Sequence, residues 1–355
     1  MVGGKSFQFV GAIAQNQWAK TWSNPADDDL TKNARADDLI RSARANGITV
    51  LQPELPYFES QLGVYQERQL VKLDYLLDSA HRNGVYVIIP FIHAYGISLW
   101  PDAPYYHPGG IEGLVKDSRL KEAFKKRMAA LITRINTVNG IRYSEDPTIL
   151  AWVVCEEIVS APDNYVKGPP QVSIAELGDW VEEMASYVKR LDANHLVALN
   201  FHSALGKFGD NWLDVLQVAS LDFVELDDAE GRFIHLTRDG NVDFYVKAFT
   251  LKKPVVMGIS FTGGSVNQGE VSKDYVWQAE KLREIFKVYY EMGVAAGFAI
   301  YSWGSDLDVA YSPDKSYTYT ASNEPIAQAF LDIASTLGSR NSTTTPLQFV
   351  KVSSR

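Results

Sequence analysis

Two adjacent carboxylates, Glu156 and Glu157, close the run Asp146-Pro147-Thr148-Ile149-Leu150-Ala151-Trp152-Val153-Val154-Cys155-Glu156-Glu157-Ile158. The unbroken apolar stretch 149–154 suits a parallel strand covered on both faces, not a half-solvated surface. An acidic pair at the end of such a strand is costly to bury unless the site uses or compensates it. Carboxylates in an apolar setting do general acid and base chemistry. Neighbouring strand residues point to opposite sides, so only a local bend brings both to one pocket. If both face it, repulsion and desolvation raise at least one pKa and make a strong base. The competing reading neutralises Glu156 with a loop partner.

Further acidic candidates follow a later apolar run. Asp227 stands beside Glu225 and Asp228. Facing inward, it could lie about 6.5–9.5 Å from Glu157 and hold a water for an inverting displacement. Asp228 and Glu230 read as ordinary loop charges, and Glu54 follows another apolar run. His93 and His202 each end a run, but no tight ligand spacing joins them, so the reading is hydrogen bonding and no metal. His195, in Asn194-His195-Leu196, reads as structural. Ser260 lacks a Gly-x-Ser-x-Gly elbow. Gly263-Gly264 lacks the flanks of a phosphate loop, and no Lys ends an apolar run to form a Schiff base. No cofactor is expected. The lone Cys155 excludes an internal disulfide and a Cys-based zinc site, and reads as a small buried hydrophobe.

The elements that must position these groups alternate regularly. Apolar runs at 7–12, 48–51, 85–92, 149–155, 196–200, 222–226, 254–257 and 295–301 predict strands. Amphipathic stretches at 36–46, 68–83, 119–137, 175–191, 242–250, 273–292 and 324–337 predict helices, two of them stopped by Gly47 and Gly84. That alternation predicts an α/β chain with a single (β/α)8 barrel over 1–337, and 338–355 as a Ser/Thr-rich C-terminal tail. Catalytic groups of such barrels sit at the C-terminal ends of the strands. Connections at 21–32, 95–113 and 160–171 would build a cleft there.

The charge balance of −9, with no basic stripe, argues against nucleic acid. No run is apolar enough to span a membrane, and Met-Val-Gly-Gly-Lys lacks the apolar core of a signal peptide. Localisation stays open. Aromatic residues reach 12%, with 8 Trp and 18 Tyr. Sugar-binding clefts and large barrel cores both use such residues, so composition does not choose between them.

The segment beginning Ile149-Leu150-Ala151-Trp152 resembles the acid/base strand of family 5 glycoside hydrolases, in their β-mannanase-like branch. That strand reads Ile-Leu-Ala-Trp, a variable pair, then Ala-Asn-Glu-Pro. Framework segments extend the resemblance over roughly 5–337. They include Leu73-Asp74-Tyr75-Leu76-Leu77, Thr133-Arg134-Ile135-Asn136, Val181-Glu182-Glu183-Met184, Leu191-Asp192-Ala193-Asn194-His195 and Lys253-Pro254-Val255-Val256. The resemblance implies that Glu157 is the acid/base and that the parent enzymes, often secreted, take oligosaccharides. The strand ends depart from it. Glu156 replaces an Asn and Ile158 a Pro. Ile259 stands at the nucleophile position, Gln52 replaces an Arg, and Asp227 and Ala229 replace a His and a Tyr. Ile92-His93-Ala94 replaces Asn-Asn-Trp. Tyr301 or Trp303 would supply the aromatic platform. Gln52, His93, Asn200, His202, Ile259, Tyr301 and Trp303 are therefore the expected substrate contacts, around Glu157, Glu156 and Asp227.

A retaining glycosidase needs two carboxyl groups about 5–5.5 Å apart. Ile259 has no lone pair with which to attack an anomeric carbon, so double displacement should be absent or slow. Three readings stay open. One is a β-mannanase-type barrel with an altered site. The second is a repurposed or engineered barrel in which a buried carboxylate acts as base on a small aromatic substrate. The third is a non-catalytic protein that binds glycan through Trp18, Trp100, Tyr301 and Trp303.

Overall fold

The parallel strands close on themselves. In the computed structural model, which describes residues 7–14, 29–55, 58–94, 97, 101–158, 172–202, 213–229, 251, 253–260, 275–291, 297–301, 303–304, 319–338 and 347–351, the barrel strands are β1 (Phe9–Ala14), β2 (Val50–Pro53), β5 (Tyr86–Pro90), β6 (Ile149–Val153), β7 (Leu196–His202), β8 (Phe223–Ala229), β9 (Val255–Ser260) and β10 (Gly297–Tyr301). Their order around the barrel is β1-β10-β9-β8-β7-β6-β5-β2, with every neighbouring pair parallel. A hairpin of β3 (Glu59–Gln61) and β4 (Val64–Tyr65) is inserted after β2. The expected single (β/α)8 barrel is the fold observed.

Helices cover the outside: α1 (Asp29–Ala45), α2 (Glu67–Asn83), α3 (Ile111–Lys116), α4 (Ser118–Ile132), α5 (Ile174–Leu191), α6 (Leu213–Leu216), α7 (Tyr275–Glu291) and α8 (Glu324–Thr336). The reasons are local. Asp117 caps α4 by accepting from the Arg119 and Leu120 amides, and Ser173 with Glu176 forms a reciprocal capping box on α5. Gly84 ends α2 at φ 66, where a side chain would be strained. Two expected boundaries move. Helix α1 includes 29–32, taking in the end of the presumed 21–32 connection, and buries Lys32 and Arg35. Helix α4 stops at Ile132, not 137, because the residues beyond it bind Asp74: Arg134 reaches it at 2.6 Å and the Thr137 hydroxyl donates at 2.7 Å. The expected helix 242–250 lies outside the described residues.

Alternation along the strands separates two apolar regions. Val10, Leu51, Val87, Trp152, Leu199, Val224 and Met257 face outward to the helices. Phe9, Val50, Tyr86, Ile88, Val153, Ala198, Phe223 and Val256 fill the lumen. At Gly297 a Cβ would come within 2.5 Å of the Phe9 ring, so only glycine admits that ring beside β10. Residues 347–350 return to this N-terminal end of the barrel. Leu347 and Val350 are buried in the lumen cluster, and the Tyr86 hydroxyl donates to the Gln348 carbonyl at 2.9 Å. The preceding part of the expected tail, 339–346, lies outside the described residues.

Candidate active site

At the opposite end, β6 leaves the ladder after Val153 and turns. Glu156 still bridges to His93: its amide donates to Ile92 at 2.8 Å, and its carbonyl accepts from Ala94 at 2.9 Å. Glu157 then takes φ 52, the one positive value at a described residue other than glycine. The left-handed region costs a side-chain-bearing residue of order 1–2 kcal/mol and persists only where surroundings fix it. Here the Glu157 amide donates to Asn200 Oδ1 at 2.9 Å, and the next amide, Ile158, donates to the Asn200 carbonyl at 3.2 Å. This is the bend that consecutive carboxylates require to share one end of the barrel.

The two carboxylates have different surroundings. Glu156 is 3% exposed and accepts from Gln52 Nε2 at 3.1 Å, across the end of β5. Where a loop partner was expected for Glu156, a strand residue, Gln52, donates to it. An amide donor steadies a carboxylate without supplying the charge an arginine would. Glu157 lies 3.8 Å from His93 Nε2, and both side chains keep a little exposure, 12% and 13%. That distance is within ion-pair reach if His93 is protonated, and too long for a hydrogen bond. Beneath them Cys155 is fully buried. Burial pushes its thiol pKa well up, and the Glu156 and Glu157 charges add to the rise.

Below the mouth, Asn200 is 0% exposed and both ends of its amide face protein: Oδ1 accepts from Glu157, and Nδ2 donates to Glu225 Oε2 at 3.2 Å. The expected substrate contact at Asn200 is therefore replaced by a holding role, because no face of the side chain reaches solvent. Glu225 is itself 4% exposed. With Ile13, Gln52 and Gly258 these residues surround a void of about 10 Å3, room for one water at most.

Trp303 departs further from expectation. It is completely buried, and its indole packs edge-on against Phe330 of α8 at 5.4 Å. Its amide donates to the Ile13 carbonyl at 3.1 Å, which continues the β1–β10 ladder and carries the ring into the outer core. It supplies no platform for a sugar. Trp18 and Trp100 lie outside the described residues. For His202, Asp227, Ile259 and Tyr301 only the backbone is described. All four lie on the final turns of their strands, at the same barrel end as Glu157. His202 pairs with Asp227, and Asp227 with Gly258. Ile259 is in register with Asp228 and with Ile300, while Tyr301 is in register with Ser260 and Ile13.

A side cavity of about 80 Å3 opens beside Glu156 and His93. Its walls include Leu55, Pro90, Ile92, Ile97 and Tyr105, with Arg127 and Glu59 at its base. Arg127 binds Glu59 at 2.9 Å, donates to the Phe91 carbonyl at 2.8 Å and lies 4.0 Å over the Phe58 ring. The Tyr105 hydroxyl donates to Glu59 at 3.2 Å, and burial together with the Glu59 charge pushes its pKa up. Nothing in sequence spacing announced this cluster, since Glu59, Tyr105 and Arg127 come from three separate parts of the chain. Among the described residues no group of three His, Cys, Asp or Glu is arranged to hold a metal. Nor is any described helix long and apolar enough to cross a membrane.

Comparison with known proteins agrees with the framework. A family model described as GH family 5 beta-mannosidase-like matches residues 112–226, which include β6, α5 and β7. The mannan endo-1,4-beta-mannosidase 5 of Solanum lycopersicum is 25% identical over 224 residues, 59% of this chain and 51% of the relative. The match thus spans about half the length of that curated relative. Among solved structures, a glycoside hydrolase family 5 mannosidase from Rhizomucor miehei superposes with a TM-score of 0.71 at 18% identity, covering 95% of each chain. The endo-beta-1,4-mannanase from Thermotoga petrophila gives 0.69 at 20%, covering 95% of this chain and 78% of that one. At such identities the structures speak for the fold, while the matched segment and the curated relatives speak for the sequence. The fold is that of a (β/α)8 barrel, and in both respects the chain is similar to mannanase-like barrels of glycoside hydrolase family 5.

Proposed function

We propose that this barrel binds a β-linked glycan at the C-terminal mouth and that Glu157 is its proton-handling group, without the covalent double displacement of a retaining enzyme. The observation that carries the reading is the contrast at the end of β6. Glu156 is tied down by Gln52, whereas Glu157 is held by its backbone and leaves its carboxyl beside His93, partly open to solvent. A carboxyl that gives and takes protons must reach a ligand, and Glu157 meets that requirement better than Glu156. The sequence adds further support. Ile259 stands where the resembled enzymes keep a nucleophilic glutamate, and Gln52 where they keep an arginine. Both changes remove charge from the mouth.

The test uses mannotetraose and an aryl β-mannoside. Binding of mannotetraose by calorimetry, with hydrolysis slow or undetectable and any residual turnover lost in Glu157→Gln, is the expected outcome. Fast hydrolysis with retained anomeric configuration would overturn the missing-nucleophile part. Absence of any oligosaccharide binding would overturn the glycan reading altogether.

The cavity beside Glu156 favours a second reading. Its mostly apolar walls and volume of about 80 Å3 suit a small ring-shaped ligand rather than a chain of sugars. In that case a carboxylate at the mouth acts as base on such a ligand. A small aromatic ligand that competes with mannotetraose, or binds in its place, separates the two.

A further inference from the structure

Glu225 is buried, ends no loop, and has no part in the chemistry just proposed, yet it lies one hydrogen bond away from the residue that holds Glu157. We propose that Glu225 is a positioning residue: through the Asn200 side chain it selects the left-handed backbone of Glu157 and so aims the Glu157 carboxyl at the mouth. The inference rests on the proposed role of Glu157 for its functional meaning, though not for its geometry.

Donor and acceptor polarity decides which way the Asn200 side chain turns. The two ends of an asparagine amide have nearly the same shape and opposite polarity. The Glu157 amide is a donor, so it requires the oxygen end. What holds the oxygen end toward Glu157 is the group at the other end, and an ionised carboxylate can only accept. Glu225 Oε2, 3.2 Å from Nδ2, thereby fixes the NH2 end on its own side and the oxygen on the Glu157 side, 2.9 Å from the amide nitrogen. Asn200 is fully buried and Glu225 nearly so, which leaves water little access to replace either bond. The backbone of Asn200 reinforces the hold: its amide donates to Cys155 and its carbonyl accepts from Ile158, each at 3.2 Å. Register makes the relay possible, since Asn200 and Glu225 are direct partners across the β7–β8 ladder. A glutamine in place of Glu225 offers both polarities and lets the Asn200 amide turn over, which would set two donors against each other at Glu157.

The test exchanges the polarity and then restores it. Asn200→Asp sets a carboxylate against Glu225. Glu225→Gln removes the selecting charge. The double variant Asn200→Asp/Glu225→Gln rebuilds the relay at unchanged net charge. Its aspartate accepts from the Glu157 amide on one oxygen and from the introduced glutamine amide on the other. The readout is hydrogen exchange at the Glu157 amide by NMR of the full chain, with the Trp152 amide in mid-strand as the control. In the parent the Glu157 amide should be protected. Turning over of the Asn200 amide costs the Glu157 amide one hydrogen bond of typical net strength, which predicts a selective fall of about tenfold in Glu225→Gln, and recovery to within about threefold in the double variant, where the aspartate has no donor end to present. A Glu157 amide that exchanges freely in the parent, a Glu225→Gln variant that matches the parent, or a double variant worse than Glu225→Gln would each overturn the relay. Equal losses at Glu157 and Trp152 would also overturn it, since they would reduce Glu225 to a general stabiliser. If Asn200→Asp does not fold, Glu225→Gln and the double variant still decide between recovery and further loss. A protected amide and a recovered double variant in a protein that binds no oligosaccharide would count against the proposed function and leave the relay standing.

Discussion

Two histidine–carboxylate pairs mark the two ends of this barrel, and they are built on opposite plans. At the N-terminal end, His195 Nδ1 lies 2.6 Å from Asp192, whose other contacts are the Trp152 indole at 2.8 Å and the Asn194 and His195 amides. Its Nε2 lies 2.9 Å from the Asp146 carbonyl, and Phe349 packs against the ring at 5.2 Å. Both side chains are shut off from solvent. At the C-terminal end, His93 and Glu157 stand 3.8 Å apart and keep some exposure. The first pair has exhausted its hydrogen-bonding capacity on the protein, and so it fastens β6, β7 and the segment between them. The second pair is looser and keeps partial contact with solvent. The same residue types do structural or chemical work according to how completely their neighbours satisfy them.

Mutation of the carboxylates should separate the two ends. Glu157→Gln is expected to lower any proton-transfer rate by about 10²–10⁴ while changing thermal stability little. A turnover assay beside a melting curve checks both halves, and an unchanged rate moves the chemistry to Glu156 or Asp227. Asp192→Ala should do the reverse. Removing one partner of a buried pair costs about 3–5 kcal/mol, and denaturant unfolding should show it. A loss under about 1 kcal/mol would mean the N-terminal pair is no more of a fastener than a surface ion pair.

The plug formed by 347–350 extends the contrast beyond charged groups. Leu347→Ala should destabilise by about 2–3 kcal/mol, in the lower part of the range for buried leucines because the segment can settle into the space. Ligand binding at the far end should be untouched. A shift in binding without a shift in stability would break the division of labour between the ends.

Acid should act on the N-terminal pair. Burial by itself would raise the Asp192 pKa, but hydrogen bonds from His195, Trp152 and the Asn194 amide outweigh it and hold the value below the ordinary 3.8. A depressed carboxylate contributes stability that is present above its unfolded-state pKa and lost as pH falls through the folded value. Asp192 should therefore contribute fully at neutral pH and lose its contribution only below about pH 4. The acid limb of stability against pH should flatten in Asp192→Asn; an identical limb in parent and variant would assign acid sensitivity elsewhere.

The smallest effect concerns Cys155, under the C-terminal pair. Its raised thiol pKa and full burial predict no reaction with a thiol reagent at neutral pH until the protein unfolds. Labelling that outruns global unfolding would show that the mouth opens locally.

Much of this was legible in the sequence. The apolar runs located all eight strands, since residues buried on both faces of a sheet leave unbroken apolar letters. Residues 149–154 became β6 with only its last members leaving the ladder. His195 reads as structural from the Asn194-His195-Leu196 turn, and the contact with Asp192 came only with the structure. Helix boundaries were less legible where charge hides burial. Lys32 and Arg35 look like surface residues in sequence, yet they lie against the barrel in α1.

What the sequence by itself determined is the frame: a closed parallel barrel with Glu156 and Glu157 at a strand end. What only the tertiary structure decided is how each residue is used. Trp303 reads as an aromatic platform, but the continuation of the β1–β10 ladder turns it into the outer core. Asn200 reads as a ligand contact, but register with Glu225 and the bend at Glu157 consume both ends of its amide. The physical reason is that periodicity reports which side of a strand a residue occupies, whereas a site depends on which polar atoms are already satisfied. That is settled between residues distant in the chain, such as Gln52 and Glu156, and by one backbone angle at Glu157 that no local preference demands.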